Sequence, residues 1–119
     1  MVGADIAIDP VGNLFVTSYN NGGNIFEIGS AGIETPLSLT GQPAGFYPVG
    51  VATTGTGNLF VTGFLNNGIY RISNYSHVDS IGTLIYPTGI VADKTGNLFV
   101  ISQAAPNTTA SELSKLSPQ

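Results

Sequence analysis

The chain predicts an all-β fold of three stacked antiparallel units, and three observations carry that prediction. The pentapeptide GNLFV occurs three times in 119 residues, at Gly12 to Val16, Gly57 to Val61 and Gly96 to Val100. Around each copy lie short runs rich in β-branched and aromatic residues, bounded by Asp, Asn, Gly and Pro. Few stretches carry the 3.6-residue apolar period of a helix. The best of them is Ala105 to Leu116, with Leu113 and Leu116 three apart, but Pro106 and the adjacent threonines weaken it.

The repeat extends beyond the pentapeptide. Upstream stand GADIAIDPVGNLFV, PVGVATTGTGNLFV and PTGIVADKTGNLFV. Downstream, NNGGNIFEI matches NNGIYRI, and SELSKL is a weaker echo. The offsets are 45 and 39 residues, and a period near forty belongs to solenoids and propellers.

Each unit opens on a short apolar strand: Ile6 to Ile8, Val49 to Thr53, Gly89 to Ala92. A type I turn follows. Asp9 and Asp93 stand at its first position, where a carboxylate accepts backbone amides, and Gly12 and Gly96 at its fourth, where positive φ is needed. The middle copy keeps Gly57 and puts Thr54 in place of the acid, a weaker version of the same bond. Pro10 suits the second turn position, because its φ is already fixed there. The second strands are Leu14 to Tyr19, Leu59 to Phe64 and Leu98 to Ser102. Asn20 to Gly23 and Asn66 to Gly68 then read as Asn-Gly hairpins, the first widened by one residue into a bulge or larger loop. A third strand follows each. A fourth, more polar and outermost, is expected near Thr35 to Leu39 and Val78 to Leu84. The third unit inserts AAPNTTAS before its last strand and then stops.

Four antiparallel strands per repeat make one propeller blade. Leu14-Phe15-Val16 is apolar on both faces, as a sheet sandwiched between two others requires. The prediction is therefore one repeat domain over 1–119, a partial, about three-blade β-propeller of four-stranded antiparallel blades. The blades fall at about 3–43, 46–85 and 86–117, and the third lacks its outer strand.

The motif Pro-x-Gly-apolar-x-Asp-x-x-Gly-Asn-apolar-aromatic-Val resembles NHL-type propeller repeats, and is similar to SBBP-type and streptogramin-lyase-like bacterial repeats. The resemblance covers nearly the whole chain. It implies an NHL-like propeller and little about activity, since the fold hosts lyases, hydrolases, sensors and scaffolds. The first unit departs from it, with Gly3-Ala4-Asp5 in place of Pro-x-Gly.

Composition excludes several functions. Only Arg71, Lys94 and Lys115 are cationic and the net charge is -4, so no basic footprint exists for nucleic acid. No segment has the ~18 apolar residues of a membrane span, so no membrane insertion is expected. Without cysteine there is no disulfide, thiolate metal site or Cys nucleophile. Charged residues are 8% of the chain, so Ser, Thr, Asn and Gly must cover the surface. An extracellular or cell-surface location is the expectation; the acidic start MVGADIAIDP is not a signal peptide.

The chemistry-bearing residues are few. His77 and Asp79 form an acid–base pair on paper, as histidine serves in streptogramin-lyase-like propellers, but no unit offers a matching second group. The plain reading is a surface-loop histidine. Asp5, Asp9 and Asp93 carry the hard oxygens calcium takes, yet Asp9 and Asp93 already have a turn to hold and sit in different blades, and Asp5 is expected to face the central channel. No serine lies in a nucleophile elbow. Asn74 and Asn107 head glycosylation sequons. Tyr19, Phe64 and Tyr75 fit a binding face or, more simply, packing between blades. The expectation is no catalytic, cofactor or metal site.

Three blades fall short of the four to eight that close a propeller. Open blade faces would be large apolar patches. They call for copies of the chain or for the remaining blades of a larger propeller. The sequence thus points to a non-catalytic interaction module that self-assembles through open blade faces into an oligomer or filament. The alternatives are a fragment of a propeller enzyme of lyase or hydrolase type and a ligand-binding sensor domain.

Overall fold

A computed structural model describes residues 3–18, 24–29, 31–55, 57–63, 67–104 and 111–117. Among these the chain forms eleven strands and no helix. The first sheet holds β1 (Gly3–Ile8), β2 (Leu14–Ser18), β3 (Asn24–Ile28) and β4 (Glu34–Pro36) in that spatial order. The second holds β5 (Pro48–Thr53), β6 (Asn58–Gly63), β7 (Gly68–Ser73) and β8 (His77–Thr83), again in sequence order. The third holds β9 (Ile90–Ala92), β10 (Leu98–Gln103) and β11 (Ser111–Leu116), with β10 in the middle. Every neighbouring pair is antiparallel. This is a partial propeller of three blades, and GNLFV leads each time into the second strand.

One expectation needs correcting. The fourth strand of the first blade is Glu34–Pro36, not Thr35 to Leu39. After Leu37 donates its amide to Ile25, the chain leaves the sheet, because Leu37 and Leu39 pack on the core between blades. Thr40 then bridges the start of β8, donating to the Ser76 carbonyl and accepting from the Val78 amide. The last strand expected in the third unit, SELSKL, is present. Ser111–Leu116 is a strand: Leu113 pairs with Ile101 and Leu116 with Leu98 along the free edge of β10. The hairpin Asn20 to Gly23 and residues 105–110, with Asn107, lie outside the described residues, as do Tyr19 and Phe64. Of the second hairpin, Asn67 is described, at φ +58°.

Alternation along a strand decides what each blade shows its neighbours. In GNLFV the Leu and Val point to one face, called here the back, and the Phe to the other, the front. Phe15 and Ile25, on the front of the first blade, share a core with Val51, Leu59, Val61, Tyr70, Ile72 and Val78 on the back of the second. Ala52, Phe60 and Ile69, on the front of the second, share a core with Ile90, Leu98 and Val100 on the back of the third. Each joint thus seats a front phenylalanine on a back Leu/Val pair. Side chains such as Phe15, Leu59 and Leu98 are wholly buried.

The second joint is tight enough to dictate glycine at position 50. A Cβ there would run into the Thr88 carbonyl oxygen of the next blade, a backbone atom that cannot yield. Gly50→Ala is expected to lower stability by ~1–3 kcal/mol, read as a shift of the urea midpoint at unchanged slope. Phe15→Ala, which empties the first joint, is expected to cost ~3–5 kcal/mol.

Candidate functional site

The two ends of the stack are the candidate site, and the joints show how such faces are covered inside the stack. Besides apolar contact, each joint carries a threonine latch one residue beyond GNLFV. The Thr17 hydroxyl donates to the Val49 carbonyl of the next blade at 2.6 Å and accepts the Asp5 amide at 3.1 Å. The Thr62 hydroxyl donates to the Thr88 carbonyl at 2.7 Å and accepts the Gly50 amide at 2.9 Å. Register shifts in β1 and β5 free those two amides from the ladder. Both threonines are buried.

The third copy reads GNLFV followed by isoleucine, and Ile101 has no blade in front of it. The front of the third blade presents Val91, Phe99, Ile101 and Leu113. Leu113 is 68% exposed, whereas Ile69, at the matching place in the second blade, is 0% exposed. With Asp5, Gly89 and Ile90 these residues line a groove of about 310 Å³. The back of the first blade presents Ile6 and Ile8, 56% and 59% exposed, with Leu14, Phe26 and Ile28 half-buried beside them and Val16 already buried. Both ends are apolar sheet faces of the kind that is buried inside the stack.

The turn residues serve the blades. Asp9 is buried; its Oδ1 accepts the amides of Val11 (3.1 Å) and Asn13 (2.9 Å), and its Oδ2 the Asn13 side chain (3.0 Å). Gly12 donates back to the Asp9 carbonyl at φ +95°, giving a type I turn closed by a glycine bulge. Asp93 is bonded likewise to Thr95 and Asn97, with Gly96 at φ +89°. Gly57 has φ +101°, and among the described residues the Thr54 hydroxyl makes no comparable bond. Asp9 also ties two blades together: its Oδ2 accepts the Tyr75 hydroxyl of the second blade at 2.8 Å, and the Tyr75 ring leans on Phe15 with centroids 4.6 Å apart. Burial pushes the Asp9 carboxyl up, but the bonds from Tyr75, Asn13 and Val11 outweigh it and hold it below the ordinary value. Burial, joined by the Asp9 carboxylate, raises the Tyr75 phenol. Asp93, bonded first by the Asn97 amide and then by Thr95, is lowered to about 2.

The remaining chemical groups do not converge. Asp5 spends one oxygen on the Ile6 amide (2.8 Å) and the other on the Val51 amide of the next blade (3.0 Å). His77 Nε2 lies 3.2 Å from Asp79 Oδ1, with Nδ1 3.2 Å from the Thr40 hydroxyl, on β8 at the outer edge of its sheet. Among the described residues no three of His, Asp and Glu gather as metal ligands. Asn74 is exposed in the turn between β7 and β8, at φ +52°. Sequence reasoning passed over the threonine latch; carrying the alignment one residue past GNLFV, to Thr, Thr and Ile, is the signal that finds it.

No family model matches the sequence, and no curated protein does. Solved structures match the fold. A chain of a crystallised nidogen/laminin complex is similar at TM-score 0.78 and 18% identity, over 97% of this chain and 44% of that one. Virginiamycin B lyase from Staphylococcus aureus, crystallised as an inactive variant with quinupristin, is similar at TM-score 0.67 and 19% identity, over 98% and 41%. A luciferin-regenerating enzyme is similar at TM-score 0.66 and 17% identity, over 95% and 41%. These are propeller-type proteins, and at such identities the likeness establishes the fold. The chain spans less than half the length of each.

Two outcomes test the joints. Thr17→Val and Thr62→Val each leave a carbonyl and an amide unpaired, so each is expected to lose ~1–3 kcal/mol in urea unfolding. The second outcome concerns pH. Asp93 has a folded value of about 2 against an ordinary 3.8, and Asp9 is lowered in the same sense. Their stabilisation is complete above the ordinary value and is lost as pH falls through the folded one. Unfolding midpoints should drop between about pH 4 and pH 2, and Asp93→Asn should flatten part of that slope.

Proposed function

We propose that the chain is a non-catalytic interaction module, an NHL-like propeller segment that works by docking further blades onto its open faces. The observation that carries this reading is the pair of exposed apolar ends on a stack whose internal joints are fully latched. The partners are copies of the chain or the remaining blades of a larger propeller. The engaged carboxylates of Asp5, Asp9 and Asp93, and the position of His77 and Asp79 at an outer edge, support a binding role over a catalytic one. A surface poor in charge and rich in Ser, Thr and Asn, with Asn74 exposed as a glycan acceptor, supports an extracellular or cell-surface setting.

A second reading, part of a propeller enzyme, is favoured by the likeness to the lyase and the luciferin-regenerating enzyme. In that case the catalytic groups come from blades beyond these three.

Solution mass decides between them. The 12.2 kDa chain is expected to sediment as multimers, and Leu113→Lys or Ile6→Lys to shift the distribution toward the monomer while leaving the β-rich circular dichroism unchanged. A well-folded monomer at micromolar concentration would sink assembly from copies. Turnover of a lactone or a streptogramin by the chain would establish the enzyme instead.

A further inference from the structure

Resting on that reading, we infer that the occupant of each open face is a second copy of this chain, docked head to tail twice so that two chains close one six-blade ring. The internal joints define what each kind of face accepts. A front receives Leu and Val from GNLFV together with an apolar first-strand residue: Leu59, Val61 and Val51 in the first joint, Leu98, Val100 and Ile90 in the second. The open back of the first blade carries Leu14, Val16 and Ile6 at those same places, with Ile6 exposed, Leu14 half-buried and Val16 already buried. A back receives a phenylalanine and an apolar third-strand residue: Phe15 with Ile25, then Phe60 with Ile69. The open front of the third blade offers Phe99 with Leu113. The chain's own back therefore matches what its own front receives.

Charge points the same way. Lys115 neighbours Phe99 on the open front, where Asp5 also lines the groove with both oxygens held by the Ile6 and Val51 amides, and Glu34 neighbours Ile28 on the open back. Head-to-tail docking brings a front cation to a back anion, whereas front-to-front and back-to-back docking oppose like charges. The third joint differs in one respect: Ile101 replaces the latching threonine and faces the place that Val49 and Thr88 hold in the other joints, which is Ala4 in the first blade. It exchanges a directional bond for apolar contact.

Six blades lie inside the range of four to eight at which propellers close, and two copies come to a little under one of the similar solved chains. A heterologous contact repeated with rotation closes into a ring, and without closure it runs on as a filament.

The chain has no cysteine, so single cysteines report contacts without background. Ile101 and Ala4 are exposed, and Ile101→Cys and Ala4→Cys are expected to fold. After incubation together, a short bis-maleimide should yield covalent dimer from the mixture and none from either variant alone. The double variant should stop at a doubly linked dimer. Cross-linking of either single variant with itself would overturn head-to-tail docking while leaving assembly intact. A ladder of higher species from the double variant would overturn closure. A monomer by sedimentation, with no cross-linked product, would overturn the assembly reading as well.

Discussion

Each blade must bury two faces, and that constraint organises everything else in the structure. GNLFV meets it with one alternation: Leu and Val go one way, Phe the other. The middle blade is the completed case, with Leu59, Phe60 and Val61 all within 5% of full burial. The outer blades carry the same residues and satisfy only half of the requirement.

Polar groups in the joints hold that stacking in place. The Thr17 and Thr62 hydroxyls cross from one blade to the next. Thr53 returns a bond to the Ile8 carbonyl, and Tyr75 binds Asp9. These bonds fix rotation and spacing between sheets, which apolar contact alone leaves loose, because it is non-directional. Asp5 shows the economy of the arrangement: a carboxylate that composition alone might assign to a cation spends both oxygens on backbone amides.

For the proposed two-chain ring, magnitudes favour closure over a single contact. Burying a large apolar side chain is worth ~1.5–3 kcal/mol, and a joint built from the open ends covers Val91, Ile101 and Leu113 with Ile6 and Ile8. Association costs ~4–15 kcal/mol in lost freedom. One such joint is therefore near balance. A ring of two chains gains two joints against one association, and a complete propeller exposes no open face.

Much of the architecture was legible in the sequence by itself. The repeat, the strand runs and the turn chemistry of Asp-x-x-Gly are local patterns, and local patterns determine which residues form a strand and which side chains share a face. They also predicted that three units leave ends uncovered. Only the tertiary structure decided what covers what. The end of β4 at Pro36 depends on Leu37 and Leu39 being drawn to the next blade. The latch of Thr17 reaches a carbonyl 32 residues away, and Tyr75 bonds an aspartate 66 residues away. Such partners are set by how whole sheets stack. Periodicity along one strand carries no information about distances of that kind, so the faces could be read from the sequence and their pairing could not.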